Sequence, residues 1–201
     1  MDDTYKTIEE KAEGIYKEKG SKFIAYAYPI VSEDEAKEIV QGLKKEFYDA
    51  RHHCYAYRIG AKGESFRMND DGEPSSTAGR PIYGQLLSYD VTNILVVVIR
   101  YFGGTKLGVS GLINAYQSAT SDALQNALIV EKTVDITFTA QFGYPMLNEV
   151  MKVIKDEQPK IEHQNFDNSC TIRMSIRKSR AEVLEAKLGN IEGLSLDIVG
   201  K

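Results

Sequence analysis

The sequence predicts a two-domain α+β protein, with residues 1–130 in the first domain and residues 131–201 in the second. Apolar runs of strand type alternate with amphipathic runs of helical period along all 201 residues. The composition supports a normal globular core, because 42% of residues are hydrophobic and 27% are charged. After residue 130 the elements follow the order βαββαβ, which is the ferredoxin-like arrangement.

In the first domain, residues 5–29 alternate polar and apolar and predict two antiparallel strands with their turn at Lys19-Gly20. Ser32 is the expected N-cap of a helix that runs to about Tyr48, with Glu35 as its capping-box partner. The remaining expected elements are strands 53–59 and 66–69, a short helix 81–88, a central strand 93–102 buried on both faces, and a helix whose buried stripe is Leu112, Ala115, Ala119 and Ala123.

The second domain is expected to bury one face of its sheet under two helices and to leave the other face open to solvent. Ser179 and Glu182 resemble a second capping box, and Gly189 is the expected end of the helix that they open. The expected elements are strand 134–142, a helix from Pro145, strands 161–166 and 170–177, the helix at 179–189, and strand 194–198.

The charge distribution is uneven along the chain. The net charge of −4 disfavours a strong, non-specific nucleic-acid binder, since such proteins are usually basic. Residues 51–116, however, contain seven Lys and Arg residues against five Asp and Glu residues. This excess favours a local anion-recognition surface on an acidic body, unless the arginines are placed there by chance.

Several features indicate a cytoplasmic protein with no membrane partner. The acidic N-terminus lacks the apolar core of a signal peptide. The longest strongly apolar run, 94–99, is far shorter than the roughly 20 residues of a membrane span. The two cysteines, Cys54 and Cys170, form no Cys-x-x-Cys pattern, which fits a reducing compartment.

A polar loop at residues 70–82 precedes the central strand and reads Asp-Asp-Gly-Glu-Pro-Ser-Ser-Thr-Ala-Gly-Arg-Pro-Ile. Loops of this composition lie on the surface, where binding residues concentrate. Its acidic residues could form a catalytic acid pair or a magnesium site, or they could accept hydrogen bonds from their own turn. Its hydroxyl groups could donate to a phosphate or cap the following helix. No Gly-x-Ser-x-Gly elbow is present. The candidate residues of this motif loop are Asp71, Glu73, Ser75, Ser76 and Thr77.

A glycine-rich turn at residues 103–111 follows the central strand and leads into a helix. Such a turn exposes backbone N–H groups and the positive end of the helix dipole, which suits an anion. It is not a P-loop, because Val109 stands where that motif has its lysine. The alternative is that the glycines serve only a tight turn. The candidate nucleic-acid or anion contacts are Arg51, Arg80, Arg100, Gly103, Gly104, Lys106 and Gly108.

His52, His53 and Cys54 raise the possibility of a catalytic thiol. On a strand, however, His53 and Cys54 point to opposite faces, and His52 lies roughly 7 Å from Cys54 along the same face. The spacing of His163 and Cys170 does not match a structural zinc site. We therefore expect no catalytic residue here, no metal and no cofactor.

The two loops together resemble the signature of the IMPACT/YigZ family. The matching segments are the motif loop 70–82 and Arg-Tyr-Phe-Gly-Gly-Thr-Lys-Leu-Gly at 100–108. The resemblance covers essentially the whole chain. It implies a first domain with the fold of a ribosomal protein's second domain, as in elongation factor G domain IV, and a second domain similar to elongation factor G domain V. It also implies a translation-linked role, and it supplies no catalytic residues.

These observations lead to one functional hypothesis and two alternatives. The hypothesis is a translation-linked regulatory protein that binds RNA or the ribosome through its basic, glycine-rich loops. The first alternative is a hydrolase that acts on a small phosphate or peptide through Asp71, Glu73 and Ser76. The second is an adaptor that binds a protein partner on the open sheet of the second domain; Arg173 and Arg177 on that face are also candidate RNA contacts.

Overall fold

The structure is a computed structural model that describes residues 3–200. It is a mixed α+β fold in two units, one comprising residues 5–132 and the other residues 133–200 together with residues 3 and 4. The division falls two residues after the expected boundary. Asp3 belongs to the second unit, where its carboxylate accepts hydrogen bonds from the Arg177 guanidinium at 2.6 and 2.7 Å.

The first unit contains a five-stranded antiparallel sheet in the order β2-β3-β6-β4-β5, and strands β1 and β7 pair with each other. The elements in chain order are β1 (Thr4–Ile8), β2 (Ala12–Glu18), β3 (Ser21–Pro29), α1 (Glu33–Glu46), β4 (His52–Ile59), β5 (Ser65–Asn69), α2 (Gly79–Ser88), β6 (Ile94–Tyr101), α3 (Gly108–Asn126) and β7 (Ile129–Thr133).

The central strand β6 organises this unit. All its residues from 94 to 100 are buried, which confirms the prediction of a strand covered on both faces. Helix α1 packs on one face with Leu95 and Val97, whereas α2 and α3 pack on the other face with Val96 and Val98. The sheet is therefore the middle layer of three.

Both motif loops emerge at the same end of this sheet. The register pairs Lys22 with Tyr101, Arg100 with His52, and Asn69 with Tyr55. Strands β2, β5 and β6 therefore finish at this end of the sheet, and β3 and β4 start there. We call this end the motif end. The motif loop connects β5 to α2 here, and the glycine-rich turn connects β6 to α3.

The cap predicted for α1 is present in part. Ser32 Oγ accepts the N–H of Glu35 at 3.2 Å, as a capping box requires. The Glu35 carboxylate, however, accepts the N–H of Val31 at 2.9 Å rather than that of Ser32. The turn predicted at Lys19-Gly20 is also present, and both its residues have positive φ, as the common hairpin turn needs.

The second unit has the βαββαβ order of elements that the sequence predicts. Its sheet has the order β11-β8-β10-β9 with antiparallel neighbours, and helices α4 and α5 contribute to one apolar core. The elements are β8 (Asp135–Phe142), α4 (Leu147–Glu157), β9 (Lys160–Phe166), β10 (Cys170–Arg177), α5 (Lys178–Gly189) and β11 (Ser195–Val199).

The capping box predicted at Ser179 and Glu182 is wrong. Helix α5 begins at Lys178, so Ser179 lies inside its first turn and cannot act as the N-cap. The carboxylate of Asp3 accepts the N–H of Ser179 at 3.2 Å instead. Hydrogen bonds from Arg177 and Ser179 hold the pKa of Asp3 well below its ordinary value.

The two arginines on the open face of the second sheet are both paired with carboxylates. Arg173 Nε donates to Glu162 at 3.0 Å, and Arg177 binds Asp3. Because both arginines have carboxylate partners, this face is a poorer candidate for RNA than the sequence suggested. Across residues 3–200, no helix is long and apolar enough to cross a membrane.

The close approach of β2 to α3 generates a testable prediction. A Cβ added to Gly14 would lie 2.2 Å from the backbone nitrogen of Ala123, so Gly14→Ala must push the strand and helix apart. We expect the free energy of unfolding of the first unit to fall by about 3 kcal/mol. Urea unfolding followed by circular dichroism measures this loss.

Gly42→Ala is the matched control, because Gly42 is exposed in α1 and an added Cβ would meet nothing within 4 Å. This variant should gain about 0.5–1 kcal/mol from the higher helix propensity of alanine. Equal effects of the two variants would contradict the packing of β2 on α3.

Candidate functional site

A cavity of about 470 Å³ lies at the motif end, between the motif loop and the glycine-rich turn. Its apolar wall consists of Pro74, Phe102, Leu107, Val109 and Leu112. Its polar lining consists of Arg51, His52, Glu73, Arg100 and Lys106. Both signature segments therefore contribute to one site.

A buried ion pair between Glu73 and Arg100 connects the two motifs. Arg100 Nη1 donates to Glu73 Oε1 at 2.6 Å, and the Tyr116 hydroxyl donates to the same oxygen at 2.7 Å. The side chains of Glu73 and Arg100 are only 3% and 7% exposed. One carboxylate thus binds the motif loop to strand β6 and helix α3, and it neutralises Arg100.

Arg100 was expected to contact an anion, but the structure gives it a supporting position. Its guanidinium is engaged by Glu73 and lies 5.4 Å from the ring centre of Phe23 and 5.6 Å from that of Phe102. Arg100 Nη1 is paired with Glu73, whereas the buried Nε has no hydrogen-bond partner within residues 3–200. The main effect of Arg100 is to position the loop and the aromatic wall.

Asp70 caps helix α2 across the motif loop. Its carboxylate accepts N–H groups of Ser76 at 2.9 Å, Ala78 at 3.2 Å and Gly79 at 2.8 Å. The N-cap residue Ala78 has no side chain that can serve this purpose. Of the alternatives for the loop acids, hydrogen bonding to their own turn therefore describes Asp70.

Asp71 is held in a similar way, with a φ of 40° in the left-handed region. Its carboxylate accepts the N–H of His53 at 2.8 Å and the ammonium of Lys44 at 2.8 Å. Burial raises the pKa of Asp71, but these two partners outweigh burial and the pKa lies below its ordinary value. The side chain is thus an ionised structural anchor.

The residues of the hydrolase alternative do not form a hydrogen-bonded group. Within residues 3–200 no hydrogen bond connects the side chains of Asp71, Glu73 and Ser76. Ser75 and Ser76 are exposed, whereas Thr77 is buried and donates its hydroxyl to the Pro74 carbonyl at 2.6 Å.

The neighbouring histidines and cysteine are also held by structural contacts. His52 Nδ1 lies 2.9 Å from the Asp71 carbonyl, and His53 Nε2 lies 2.9 Å from the Phe47 carbonyl. Burial raises the pKa of the Cys54 thiol, which keeps it protonated and unreactive. Nowhere in the described chain do three His, Cys, Asp or Glu side chains form a group that could hold a metal ion.

The remaining predicted contacts divide into three groups. Arg51 and Lys106 are exposed at the cavity rim and have no ion pair among residues 3–200. Gly108 lines the cavity as the first residue of α3, whose first turn has no side-chain cap and no acid. Arg80 is exposed in a separate groove beside Ser76 and Tyr83.

The first glycines of the turn have different roles. The N–H of Gly103 donates to Ser21 Oγ at 3.1 Å, and an added Cβ would lie 2.0 Å from the carbonyl carbon of Gly20. Gly103 therefore serves close packing of two turns. Gly104 is exposed with a φ of 89°, and an added Cβ would meet nothing within 4 Å. Its N–H is the better candidate for an anion contact.

Three lysines of the β2–β3 hairpin are not among the contacts predicted from the sequence. Lys17 and Lys22 are directly opposite each other in the register, and Lys19 lies in the turn between them. All three are exposed, and like charges in directly opposed positions destabilise a sheet. The predicted turn at Lys19-Gly20 already implied this pairing, which adds positive charge beside Gly103.

The fold and site define a two-unit α+β protein whose first unit joins two signature loops through a buried ion pair. Residues 19–124 match the family model described as the Impact N-terminal domain. The chain belongs to the IMPACT family, which confirms the resemblance read from the two motifs.

Relatives and a solved structure agree with this membership. The chain is 32% identical over 183 residues to the IMPACT family member YigZ of Escherichia coli, covering 90% of each chain. It is 36% identical over 155 residues to YvyE of Bacillus subtilis, covering 77% of this chain and 71% of that one. A crystal structure of a hypothetical protein aligns with a TM-score of 0.74 at 30% identity, covering 98% of this chain and 97% of that one.

The cap at α2 generates the prediction for this site. Asp70→Ala leaves one N–H group of the motif loop and two at the start of α2 without their acceptor, so the free energy of unfolding should fall by about 2 kcal/mol. Ser75→Ala is the control in the same loop, and it should change stability by less than about 0.5 kcal/mol because Ser75 is exposed. Urea unfolding measures both, and equal small effects would contradict the role of Asp70.

Proposed function

We propose that this chain is a translation-linked, cytoplasmic regulatory protein that binds RNA, alone or within the ribosome, through the motif end of its first unit. Membership of the IMPACT family supports the link to translation. The group of free cations at the motif end is the observation that supports RNA as the ligand, because phosphate contacts dominate the affinity of proteins for nucleic acids.

The balance of charges at the motif end favours a polyanion. Five exposed cations there have no ion pair within the described chain: Lys17, Lys19, Lys22, Arg51 and Lys106. Of the neighbouring acids, Glu73 and Asp71 are paired with cations, whereas Glu18 and Asp49 accept hydrogen bonds from tyrosine hydroxyls. A local positive field therefore exists on a chain whose net charge is −4.

The proposed contacts differ in part from those expected from the sequence. We assign phosphate contacts to Arg51, Lys106 and the backbone N–H groups of Gly104 and Gly108. The first N–H groups of an α-helix have no acceptor within the helix, so the start of α3 adds donors at the rim. Arg80 stays a candidate at a second position, outside the cavity.

We also propose the finer fold assignment that the family resemblance implies. In the first unit, α1 connects β3 to β4 while β6 lies between these two strands. This arrangement is the basis for assigning the fold of a ribosomal protein's second domain, as in elongation factor G domain IV. The strand order β11-β8-β10-β9 is the basis for assigning a ferredoxin-like second unit, as in domain V.

Removal of single cations tests the proposed RNA contacts. Arg51→Ala, Lys106→Ala and Lys22→Ala should each weaken binding to a fluorescent single-stranded RNA. Each should also reduce the slope of log K against log salt concentration by about 0.7–1, as expected for one lost phosphate contact. Fluorescence anisotropy at several salt concentrations measures the slope. Co-sedimentation with ribosomes measures whether the same variants also weaken binding to RNA within the ribosome.

Lys62→Ala is the matched control, because Lys62 is exposed in the turn after β4, at the opposite end of the sheet. It should leave both affinity and slope unchanged. Binding that is independent of salt, or that responds equally to Lys62→Ala and Lys106→Ala, would contradict the proposed RNA surface.

A further inference from the structure

The cavity at the motif end combines an apolar slot with a charged rim. Phe102 is 51% exposed and lines the slot together with Pro74 and Leu112. The volume of about 470 Å³ is typical of a small-molecule site. An exposed phenylalanine at a cavity mouth offers a flat surface on which a planar ring can stack.

Two hydrogen-bond acceptors in the cavity lining have no donor. Glu73 Oε1 accepts from Arg100 and Tyr116, but Glu73 Oε2 accepts no hydrogen bond from any described residue. His52 Nδ1 lies 2.9 Å from a carbonyl oxygen, which can only accept, so Nδ1 carries the hydrogen. In the neutral imidazole, Nε2 is then an acceptor as well.

These two acceptors lie side by side. His52 Nε2 and Glu73 Oε2 are 4.0 Å apart, which is too far for a direct hydrogen bond between them. The Glu73 side chain is 97% buried, and its Oε2 oxygen accepts no hydrogen bond within residues 3–200, so that oxygen stays available to a donor in the cavity. A group with two N–H donors, such as an amino group, satisfies both atoms at once.

We propose that the cavity binds one unpaired, amino-bearing base of a single-stranded RNA. The base stacks on Phe102, its exocyclic amino group donates to Glu73 Oε2 and His52 Nε2, and its phosphate lies on Arg51 and Lys106. Adenine, cytosine and guanine carry such an amino group, and uracil does not. The inference rests on the RNA binding proposed above and adds the form and composition of the ligand.

A base within a duplex does not fit this arrangement. Its amino group is engaged in base pairing and its faces are stacked on neighbouring pairs, so neither the amino group nor a base face can enter a cavity. The cavity is lined on one side by the motif loop and on another by the start of α3. A base must therefore be splayed out of its strand to reach Glu73.

The test compares oligocytidylate with oligouridylate, two pyrimidine RNAs of equal length and charge whose bases differ at the amino position. With the full chain at fixed salt, fluorescence anisotropy should show cytidylate binding about tenfold more tightly, since the amino group of cytosine adds a hydrogen bond to the charged Glu73 carboxylate that uracil cannot make. A blunt RNA duplex of the same charge per strand should bind more weakly than oligocytidylate.

Matched aromatic variants test the stacking surface. Phe102→Ala should weaken binding of both oligonucleotides about five- to a hundredfold, the range for loss of one base–aromatic stack. Phe66→Ala should leave both affinities unchanged, because Phe66 is similarly exposed at 53% but lies near the start of β5, opposite Arg58, and does not line the cavity.

The outcomes separate this inference from the proposed function. The base site is contradicted if cytidylate, uridylate and duplex bind with equal affinity and Phe102→Ala has no effect. If Lys106→Ala still weakens binding in that case, the proposed RNA surface is retained. Preference for uridylate also overturns it. If the wild-type chain binds none of these RNAs, both proposals are contradicted.

Discussion

The ion pair between Glu73 and Arg100 is the constraint on which the functional end of the first unit depends. The two residues come from the two signature segments, and both are nearly inaccessible to solvent. A buried charge without a partner is strongly destabilising, so each residue requires the other. Tyr116 adds a third element to the same carboxylate oxygen. The pair therefore fixes the relative positions of the motif loop, strand β6 and helix α3, and with them the shape of the cavity.

The same pairing explains how one site can be apolar, acidic and basic at once. Arg100 compensates the Glu73 charge, and Lys44 compensates that of Asp71, so the loop carboxylates stabilise the structure without cancelling the rim. Arg51 and Lys106 stay available for an anion. The Asp70 carboxylate accepts N–H groups at the start of α2. The acids that suggested catalysis in the sequence thus hold the loop in place, and the cations beside it supply the binding chemistry.

Local patterns predicted the elements well, and long-range pairings were the part they could not supply. The strand at 94–101, the Ser32 cap and the Lys19-Gly20 turn depend on neighbours within a few residues. The capping box at Ser179 failed because a carboxylate 176 residues away binds that N–H. Arg100 did carry a signal, since an arginine inside a continuous apolar strand needs a buried partner. The identity of that partner, 27 residues earlier in a loop, required the fold.

A double-mutant cycle on this pair tests the central claim most directly. Glu73→Leu, Arg100→Met and the double variant are compared with the wild type by urea unfolding. We predict that each single variant loses about 3–5 kcal/mol, since it leaves one buried charge unpaired, and that the double variant loses no more than either single variant. Additive losses below about 1 kcal/mol each, the size measured for exposed ion pairs, would contradict the account.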